Sequence, residues 1–281
     1  MNDLVVKHNA LTNASYSLSL TEQRLILLAI VDAREPKQGD STNDPMIIEA
    51  SSYSQQFGTT RQASYLALKE ATETLFNRYF KYTENGKNIK SRWVSQIAYV
   101  DNAAQVELIF APAVVPLITE LEKHFTQYEL EQVAGLNSAY AVRLYEVLMS
   151  WRGTQKTGEI KLPELRNRLG VEDHEYQKMS DFKRRVLDLS TTQINKHTDI
   201  KVQYQQHKSG RKIIGFSFEF SFKKHKKKTS TKSELGRYTK TDLEKNPTLA
   251  NPGETYEQAL RRLNGQNKIL GTEEKQAKFN L

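Results

Sequence analysis

Two kinds of hydrophobic spacing alternate along this chain, and their order occurs twice. In the first half, apolar residues at helical spacing predict a helix over residues 16–33, and a strand follows at 46–50. A short helix at 51–58, a longer helix and a β-hairpin turning at Asn85-Gly86 complete the series. The second half of the chain repeats this order of helix, strand, short helix, long helix and hairpin.

Local signals mark where several of these helices begin and end. Ser19, followed three residues later by Glu22, is a capping-box pattern at the start of the first helix. Gly58 and Gly170 each follow a short helix, where glycine favours the left-handed conformation that ends helices. The two glycines are 112 positions apart, so the two halves are predicted to share one architecture.

The repeated unit is the winged-helix form of helix-turn-helix, because a short helix, a turn, a longer helix and a β-hairpin follow one another. LKEATETL (68–75) also falls on FKRRVLDL (182–189) at an offset of 114. The sequence therefore predicts an α+β protein with two tandem, pseudo-symmetric winged-helix domains. We expect the N-terminal domain and its connecting helices at 1–135, the C-terminal domain at 136–222, and a basic, largely disordered tail at 223–281.

The tail begins with KKHKKKTSTKS, a charge block followed by small polar residues that cannot bury a core. The segment is either a solvated tail or one that attracts phosphate non-specifically. ETYEQALRRLNG (254–265) has amphipathic spacing, and we expect a short helix that docks on a replication partner.

The charge is unevenly distributed along the chain. Residues 1–135 hold 12 Lys+Arg against 16 Asp+Glu, a net charge of −4. Residues 136–222 have a net charge of +5 and residues 223–281 one of +7, within a total of +8. This asymmetry indicates that the downstream part meets nucleic acid while the first part has another role as well.

The strongest candidate chemistry lies in SDFKRRVLDLSTTQIN, the long helix of the second half. Ser180 is expected to cap this helix, and Lys183, Arg184 and Arg185 to occupy its first exposed turn. Cations at a helix N-terminus cost about a few tenths of a kcal/mol each, because that end already carries partial positive charge. A phosphate or a base edge would supply their partner, and residues near the start of a recognition helix are the ones that reach bases.

Each residue type in this helix suits a particular contact with DNA. Arg184 and Arg185 can each bond guanine O6 and N7 together, whereas Lys183 is expected to position the helix on phosphate. Asp188, one turn after Arg184, is expected to hold its guanidinium, and Thr191 is a further candidate contact. A helical projection places a different set of residues on the side that faces the core, namely Phe182, Val186, Leu189 and Gln193.

The hairpin of the second half adds a basic tip. Lys208, Arg211 and Lys212 surround Ser209-Gly210, where a hairpin tip can approach a phosphate.

The first half offers a weaker set of candidates, because Glu70 and Ala71 stand where the second half has its two arginines. Its candidate contacts are Arg61, Gln62, Ser64, Tyr65 and Lys69 on the helix and Lys87, Lys90 and Arg92 on the hairpin. We expect this half to bind DNA less strongly and to use much of its surface for protein contacts. The apolar run LILLAIV (25–31) is longer than one helix face needs and favours such an interface.

Other kinds of chemistry find no support. The chain has no cysteine and no GxxxxGK[ST] loop, and its six histidines show no HxH or HExxH spacing. We therefore expect that the protein is not an enzyme and has no catalytic residue, metal or cofactor. The same absence of a histidine pair disfavours the nicking initiators of rolling-circle plasmids. The N-terminus lacks the order of a signal peptide, and no apolar run approaches ~18 residues, so a cytoplasmic protein without a membrane partner is expected.

Several segments together resemble the replication initiator (Rep) proteins of theta-replicating, iteron-bearing plasmids, over about residues 4–222. They are VVKHNALTNASYSLSLTEQRLILLAI, RLYEVLMSW, ELRNRLGV, MSDFKRRVL, INKHTDIKVQY and KSGRKIIGFSFEF. The resemblance implies two pseudo-symmetric winged-helix domains, with base reading by Lys183, Arg184 and Arg185. It also implies monomers that bind direct repeats (iterons) at the origin, and dimers, formed through the N-terminal domain, that bind an operator inverted repeat and repress their own gene.

An initiator of this kind would help to melt an AT-rich region and recruit host proteins, among them the host initiator and the replicative helicase. Two other functions stay open on the sequence. One is a winged-helix transcription repressor without origin function, and the other is a protein-interaction scaffold. Direct repeats beside the gene would favour the initiator, and failure to bind any DNA would favour the scaffold.

Overall fold

The computed structural model describes residues 3–33, 44–84, 86–119, 121 and 124–223, together with Gln258, Ala259 and Arg262. The chain forms two compact units, Met1–Lys223 and Lys224–Leu281. The three described residues of the second unit are helical, within the helix predicted at 254–265. The predicted disorder of the tail concerns residues outside those described. No described helix combines the length and the apolar composition needed to cross a membrane.

The first unit contains two successive sets of helices and strands. The elements of the first set are β1 (Leu4–His8), α1 (Asn9–Thr12), α2 (Leu20–Ala33), β2 (Met46–Glu49), α3 (Ala50–Phe57), α4 (Arg61–Phe76), β3 (Tyr79–Glu84), β4 (Lys87–Arg92), β5 (Val94–Val100), β6 (Gln105–Phe110), β7 (Phe125–Glu129) and α5 (Glu131–Ala134). Short 3₁₀ turns lie at Asp101–Ala103 and Val115–Leu117. β1 pairs with β7 in a two-stranded antiparallel sheet.

The second set follows the same order with fewer strands. Its elements are α6 (Ala139–Met149), β8 (Ile160–Lys161), α7 (Leu162–Leu169), α8 (Met179–Phe182), a π-helical segment (Lys183–Asp188), α9 (Leu189–His197), β9 (Ile200–Ser209) and β10 (Lys212–Phe222). α8, the π-helical segment and α9 follow one another without a break, and we call residues 179–197 the second recognition helix. α4 is its counterpart, the first recognition helix.

Local signals in the sequence are confirmed at the helix ends. Ser19 N donates to the Glu22 carboxylate at 2.6 Å and Glu22 N donates to Ser19 Oγ at 3.2 Å, which is the predicted capping box. Gly58 (φ +66°) and Gly170 (φ +73°) end α3 and α7 in the left-handed conformation. A side chain at Gly170 would also meet the Tyr16 carbonyl oxygen, since a Cβ there would lie 2.3 Å from it.

The two three-stranded sheets have matching topology, and this changes which hairpin of the first half is the wing. The strand order is β2-β6-β5 in the first domain and β8-β10-β9 in the second. β5 and β6 therefore correspond to β9 and β10, whereas β3 and β4 form a separate two-stranded sheet inserted before them. The predicted hairpin turning at Asn85-Gly86 therefore ends at Arg92, and buried Trp93 separates its second strand, β4, from β5.

The second recognition helix does not keep a regular α-helical phase. A π turn bonds i to i+5 and takes up an extra residue, which rotates the downstream residues relative to the core. Leu187 and Ser190 are both 0% exposed, while Leu189, predicted to face the core, is 42% exposed.

One hydrophobic cluster runs through both domains, and it includes most of the apolar run in α2. Residues 25–30 are all buried, with exposed fractions from 0% to 8%. The prediction that this run forms a protein interface is therefore not supported, because its side chains are already covered within the chain. The domains also share a buried ion pair between Lys7 of β1 and Glu146 of α6.

Candidate nucleic-acid interface

The second recognition helix begins two residues earlier than predicted. Lys178 is its N-cap, with extended backbone angles (φ −75°, ψ 129°), and Phe182 N bonds to the Lys178 carbonyl at 3.0 Å. Ser180 is thus the second helical residue and not the cap, and it is exposed. The three predicted cations consequently lie in the second turn of the helix, beyond its first unsatisfied N–H groups.

The three cations have different partners. Lys183 is half-buried, and its Nζ donates to Gln206 Oε1 in β9 at 3.2 Å. Arg184 is exposed and bonds through Nη2 to Asp181 Oδ1 at 3.1 Å. Arg185 is exposed, and within the described part of the chain its guanidinium makes no hydrogen bond or ion pair. Because these contacts are on the solvent side, phosphate or base edges can replace them at little cost.

Asp188 does not hold Arg184, contrary to our prediction. It accepts a hydrogen bond from Tyr204 Oη of β9 at 2.6 Å, and Arg184 pairs with the preceding turn instead. The Tyr204–Asp188 and Gln206–Lys183 contacts both join the recognition helix to β9. Neither Tyr204 nor Gln206 was predicted from the sequence, because only the packing of β9 against the helix brings them close to Asp188 and Lys183.

Thr191 uses its hydroxyl within the helix. Oγ1 donates to the carbonyl of Leu187 at 2.9 Å and lies 3.2 Å from the carbonyl of Asp188. The side chain is half-buried. Its donor is therefore occupied, which leaves Thr191 a weaker candidate for a DNA contact than the cations.

The tip of the second wing concentrates exposed positive charge. β9 and β10 close at the Ser209–Lys212 pair, and Gly210 adopts φ +60° in the turn. Lys208, Arg211 and Lys212 are all exposed there. The wing is fixed to the recognition helix through β9, so the two basic groups belong to one rigid surface.

The first wing tip carries an acidic side chain that contacts its own recognition helix. Asp101 lies in the turn between β5 and β6, and its carboxylate accepts hydrogen bonds from Tyr65 Oη and, at 3.0 Å, from Lys69 Nζ. The bond to Asp101 raises the pKa of Tyr65 to about 12, and the same bond and Lys69 lower the pKa of Asp101. Arg61 Nη2 also reaches the same turn, at 3.4 Å from the Ala103 carbonyl.

The remaining candidates of the first domain divide into exposed and occupied residues. Gln62 is exposed at the start of α4. Ser64 is only 1% exposed and its Oγ lies 2.6 Å from Thr59 Oγ1, so the prediction that it contacts DNA is wrong. Arg92 Nη1 donates to the Phe76 carbonyl at 2.7 Å and caps the end of α4.

The inserted hairpin β3–β4 holds the other two predicted wing cations of the first half. Lys87 is exposed, and Lys90 Nζ lies 3.7 Å from the centre of the Tyr79 ring. The hairpin also lines a groove of about 520 Å³ together with α7 of the second domain. No group of His, Asp or Glu side chains among the described residues could hold a metal ion.

Comparison with known proteins assigns this arrangement to a family. A family model described as "Initiator Replication protein, WH1" matches residues 4–149, and one described as "Initiator Rep protein, WH2" matches residues 161–220. The chain belongs to the initiator Rep protein family. The predicted pair of winged-helix domains and the resemblance to replication initiators are therefore confirmed.

Individual relatives differ in identity and in the share of the chain that they match. A replication initiation protein of Escherichia coli is 26% identical over 213 residues, which cover 72% of this chain and 65% of that protein, less than two thirds of its length. The crystal structure of Pi initiator protein in complex with iteron DNA has the same fold, with a TM-score of 0.65 at 23% identity over 79% of this chain and 98% of that chain. The WH1 domain of a replication protein isolated from a multiple sclerosis patient is 60% identical, over 43% of this chain and 95% of that chain, with a TM-score of 0.36.

Proposed function

We propose that this Rep family member is a sequence-specific DNA-binding protein that initiates plasmid replication by binding direct repeats at the origin. The observation that carries the proposal is the surface formed by Lys183, Arg184 and Arg185 with the basic wing tip. Two exposed arginines near the start of a recognition helix suit guanine edges in the major groove, and the wing cations suit the flanking phosphates.

The two domains contribute unequally to this binding. In the second domain Arg184 and Arg185 are exposed, and Arg185 has no hydrogen bond or ion pair within the described part of the chain. In the first domain Asp101 already binds Lys69 and Tyr65. We infer that the second domain reads most of the sequence and that the first adds a weaker contact. Two recognition helices on one face of DNA would enter major grooves about 10–10.5 bp apart, which gives a bipartite site of about two turns.

Self-association through the first domain, binding of an operator inverted repeat and repression of the chain's own gene form part of the proposal. Family resemblance supports them, and so does the exposed edge of the first sheet. β2 is an edge strand, and Ile47 on it is 49% exposed. Such an edge with an apolar side chain can pair with another copy.

The remaining features of the proposal concern partners and compartment. We propose that the chain works in the cytoplasm, where plasmid DNA is, and that it acts by binding and not by catalysis. The host initiator and the replicative helicase are the expected protein partners, since a melted origin must be loaded with replication machinery.

Binding to the DNA beside the chain's own gene tests the proposal. Fluorescence anisotropy of the purified chain on a duplex with the direct repeats, compared with a scrambled duplex of equal length, should show specific binding. Affinity should fall about 10³–10⁵-fold between 50 and 200 mM salt if ~6–10 phosphates are neutralised. Equal affinity for both duplexes would contradict the proposal, and binding only to an inverted repeat would favour a repressor without origin function.

A further inference from the structure

Leu189 occupies an unusual position in the second recognition helix. It is 42% exposed, whereas its neighbours Leu187 and Ser190 are fully buried. The π-helical segment Lys183–Asp188 directly precedes it and turns it out of the core. Exposing a leucine forfeits the favourable free energy of burying it, and π turns occur frequently at functional sites. The π segment therefore places an apolar side chain on the exposed face of the recognition helix, where bound DNA would cover it.

The surroundings of Leu189 indicate the chemistry of that partner. Arg185 lies one turn before it and Thr192 and Lys196 lie one and two turns after it, and all three are exposed. Side chains at these spacings share one face of a helix. A lone apolar side chain among cations offers too little contiguous apolar area for a protein interface, but it suits a surface that presents phosphates together with small apolar groups.

The major groove of DNA presents such a surface. Its apolar group is the 5-methyl of thymine, which apolar side chains contact in direct readout. We propose that Leu189 packs against a thymine 5-methyl group beside the base read by Arg185, and thereby helps to determine which sequence is bound. This inference rests on the proposed function and adds an apolar specificity contact to it.

Removal of that methyl group alone gives a direct test. Deoxyuridine keeps every hydrogen-bonding group of thymidine and lacks only the methyl. Full-length chain would be titrated by fluorescence anisotropy against the repeat duplex, with thymines replaced one at a time by uracil. Burial of one methyl corresponds to about a fourfold change in affinity, so we expect the wild type to bind about fourfold more weakly at one or two positions.

The variant Leu189→Ala should abolish that difference. We expect it to bind thymine and uracil duplexes equally at those positions, with the affinity of the wild type for uracil. Leu189→Met, which keeps an apolar side chain, should preserve most of the discrimination. Phe125→Ala removes a similarly exposed apolar side chain (39%) in β7 of the first domain and should leave the thymine preference unchanged.

Two results would overturn the inference while leaving the proposed function in place. One is a wild type that binds the repeats specifically but tolerates uracil at every position. The other is a Leu189→Ala variant with the full thymine preference of the wild type. Failure of the wild type to distinguish the repeats from scrambled DNA would instead contradict the proposed function, and therefore this inference as well.

Discussion

The guanidinium of Arg143 donates a hydrogen bond to the backbone carbonyl of Ala14 at 3.0 Å and so joins the two winged-helix domains. Arg143 lies on α6, the first helix of the second set of elements, and is 1% exposed. Its other donors bond to the Thr12 carbonyl (3.0 Å), the Tyr16 hydroxyl, the Glu146 carboxylate (2.8 Å) and the Arg168 carbonyl (3.0 Å). All five guanidinium donors are thus used, and the junction sets how the two domains are held together.

Loss of this side chain should therefore destabilise the fold. Arg143→Met leaves three backbone carbonyls without a donor and removes a charge from a buried ion-pair network, so we expect the free energy of unfolding to fall by about 3–5 kcal/mol. Urea denaturation followed by circular dichroism measures it. Arg152→Met changes an exposed arginine just beyond the same helix. It should cost about 1 kcal/mol or less, since it removes only the contact of the guanidinium with the Phe222 ring, at 5.0 Å. Equal losses in the two variants would contradict this account of the junction.

Glu146 makes the stability of the junction depend on pH. Burial alone would raise the pKa of Glu146, but the charges of Lys7 and Arg143 together with hydrogen bonds from Lys7 and Tyr128 lower it below its ordinary value of 4.5. A carboxyl whose pKa is lowered in the folded state stabilises the fold above its unfolded-state pKa, and that contribution disappears as the pH falls through the folded-state pKa. The free energy of unfolding should therefore decline below about pH 4.5.

Urea denaturation between pH 7 and pH 3 checks this dependence. Glu146→Gln has no carboxyl to protonate at this site and should show a shallower decline than the wild type. Glu131→Gln, the same change at an exposed site in α5, should retain the wild-type decline. A Glu146→Gln profile parallel to that of the wild type would show that the buried carboxylate does not govern acid stability.

Gly170 should tolerate a side chain less well than Gly58. Both adopt left-handed angles, so Ala at either position costs about 1–2 kcal/mol in the backbone. At Gly58 the added Cβ meets open space, whereas at Gly170 it lies 2.3 Å from the Tyr16 carbonyl oxygen at the domain junction. We expect Gly170→Ala to lower the free energy of unfolding by at least about 1 kcal/mol more than Gly58→Ala. Equal losses of unfolding free energy in the two variants would mean that the backbone at Tyr16 can move away from the added Cβ without a loss of stability.

Asp101→Asn should strengthen DNA binding by the first domain. The change removes a negative charge from the first wing tip and releases Lys69 for a phosphate. One additional phosphate contact would make the slope of log affinity against log salt more negative by up to about 0.9. Anisotropy on the scrambled duplex at several salt concentrations measures this slope, with Glu131→Gln as a control of equal charge change. A slope no different from that control would contradict the role of Asp101.

Most features set by neighbouring residues were predictable from the sequence, the Ser180 cap excepted, whereas those set by distant contacts were not. The capping box of Ser19 and Glu22 and the helix-ending glycines depend on local backbone geometry, and all were predicted correctly. The exposure of Leu189 depends on a π turn, which hydrophobic spacing cannot reveal. The partner of Arg184 was mistaken for the same reason, since Tyr204 approaches Asp188 only when β9 packs beside the helix.

The wing of the first domain shows the same limit. Basic residues on β3–β4 suggested a wing there, but only the sheet order identifies β5–β6 as the equivalent strands. Asp101 was consequently not predicted as part of the site. A single acidic residue in a turn also gives no sequence signal by itself. The three cations of the second domain could be singled out from the sequence because they are adjacent and lie near the start of a recognition helix. That they read bases stays a prediction.

Base reading by the second recognition helix is most directly tested with the double variant Arg184→Ala/Arg185→Ala. Anisotropy at a fixed salt concentration would give the ratio of affinities for the repeat duplex and the scrambled duplex, with Arg152→Ala as the control. Each bidentate contact with guanine contributes about 1–3 kcal/mol of discrimination, so the ratio should fall roughly 5–150-fold for each arginine that reads a guanine. An unchanged ratio, with both affinities reduced equally, would mean that these cations contact only phosphate and would contradict base reading by this helix.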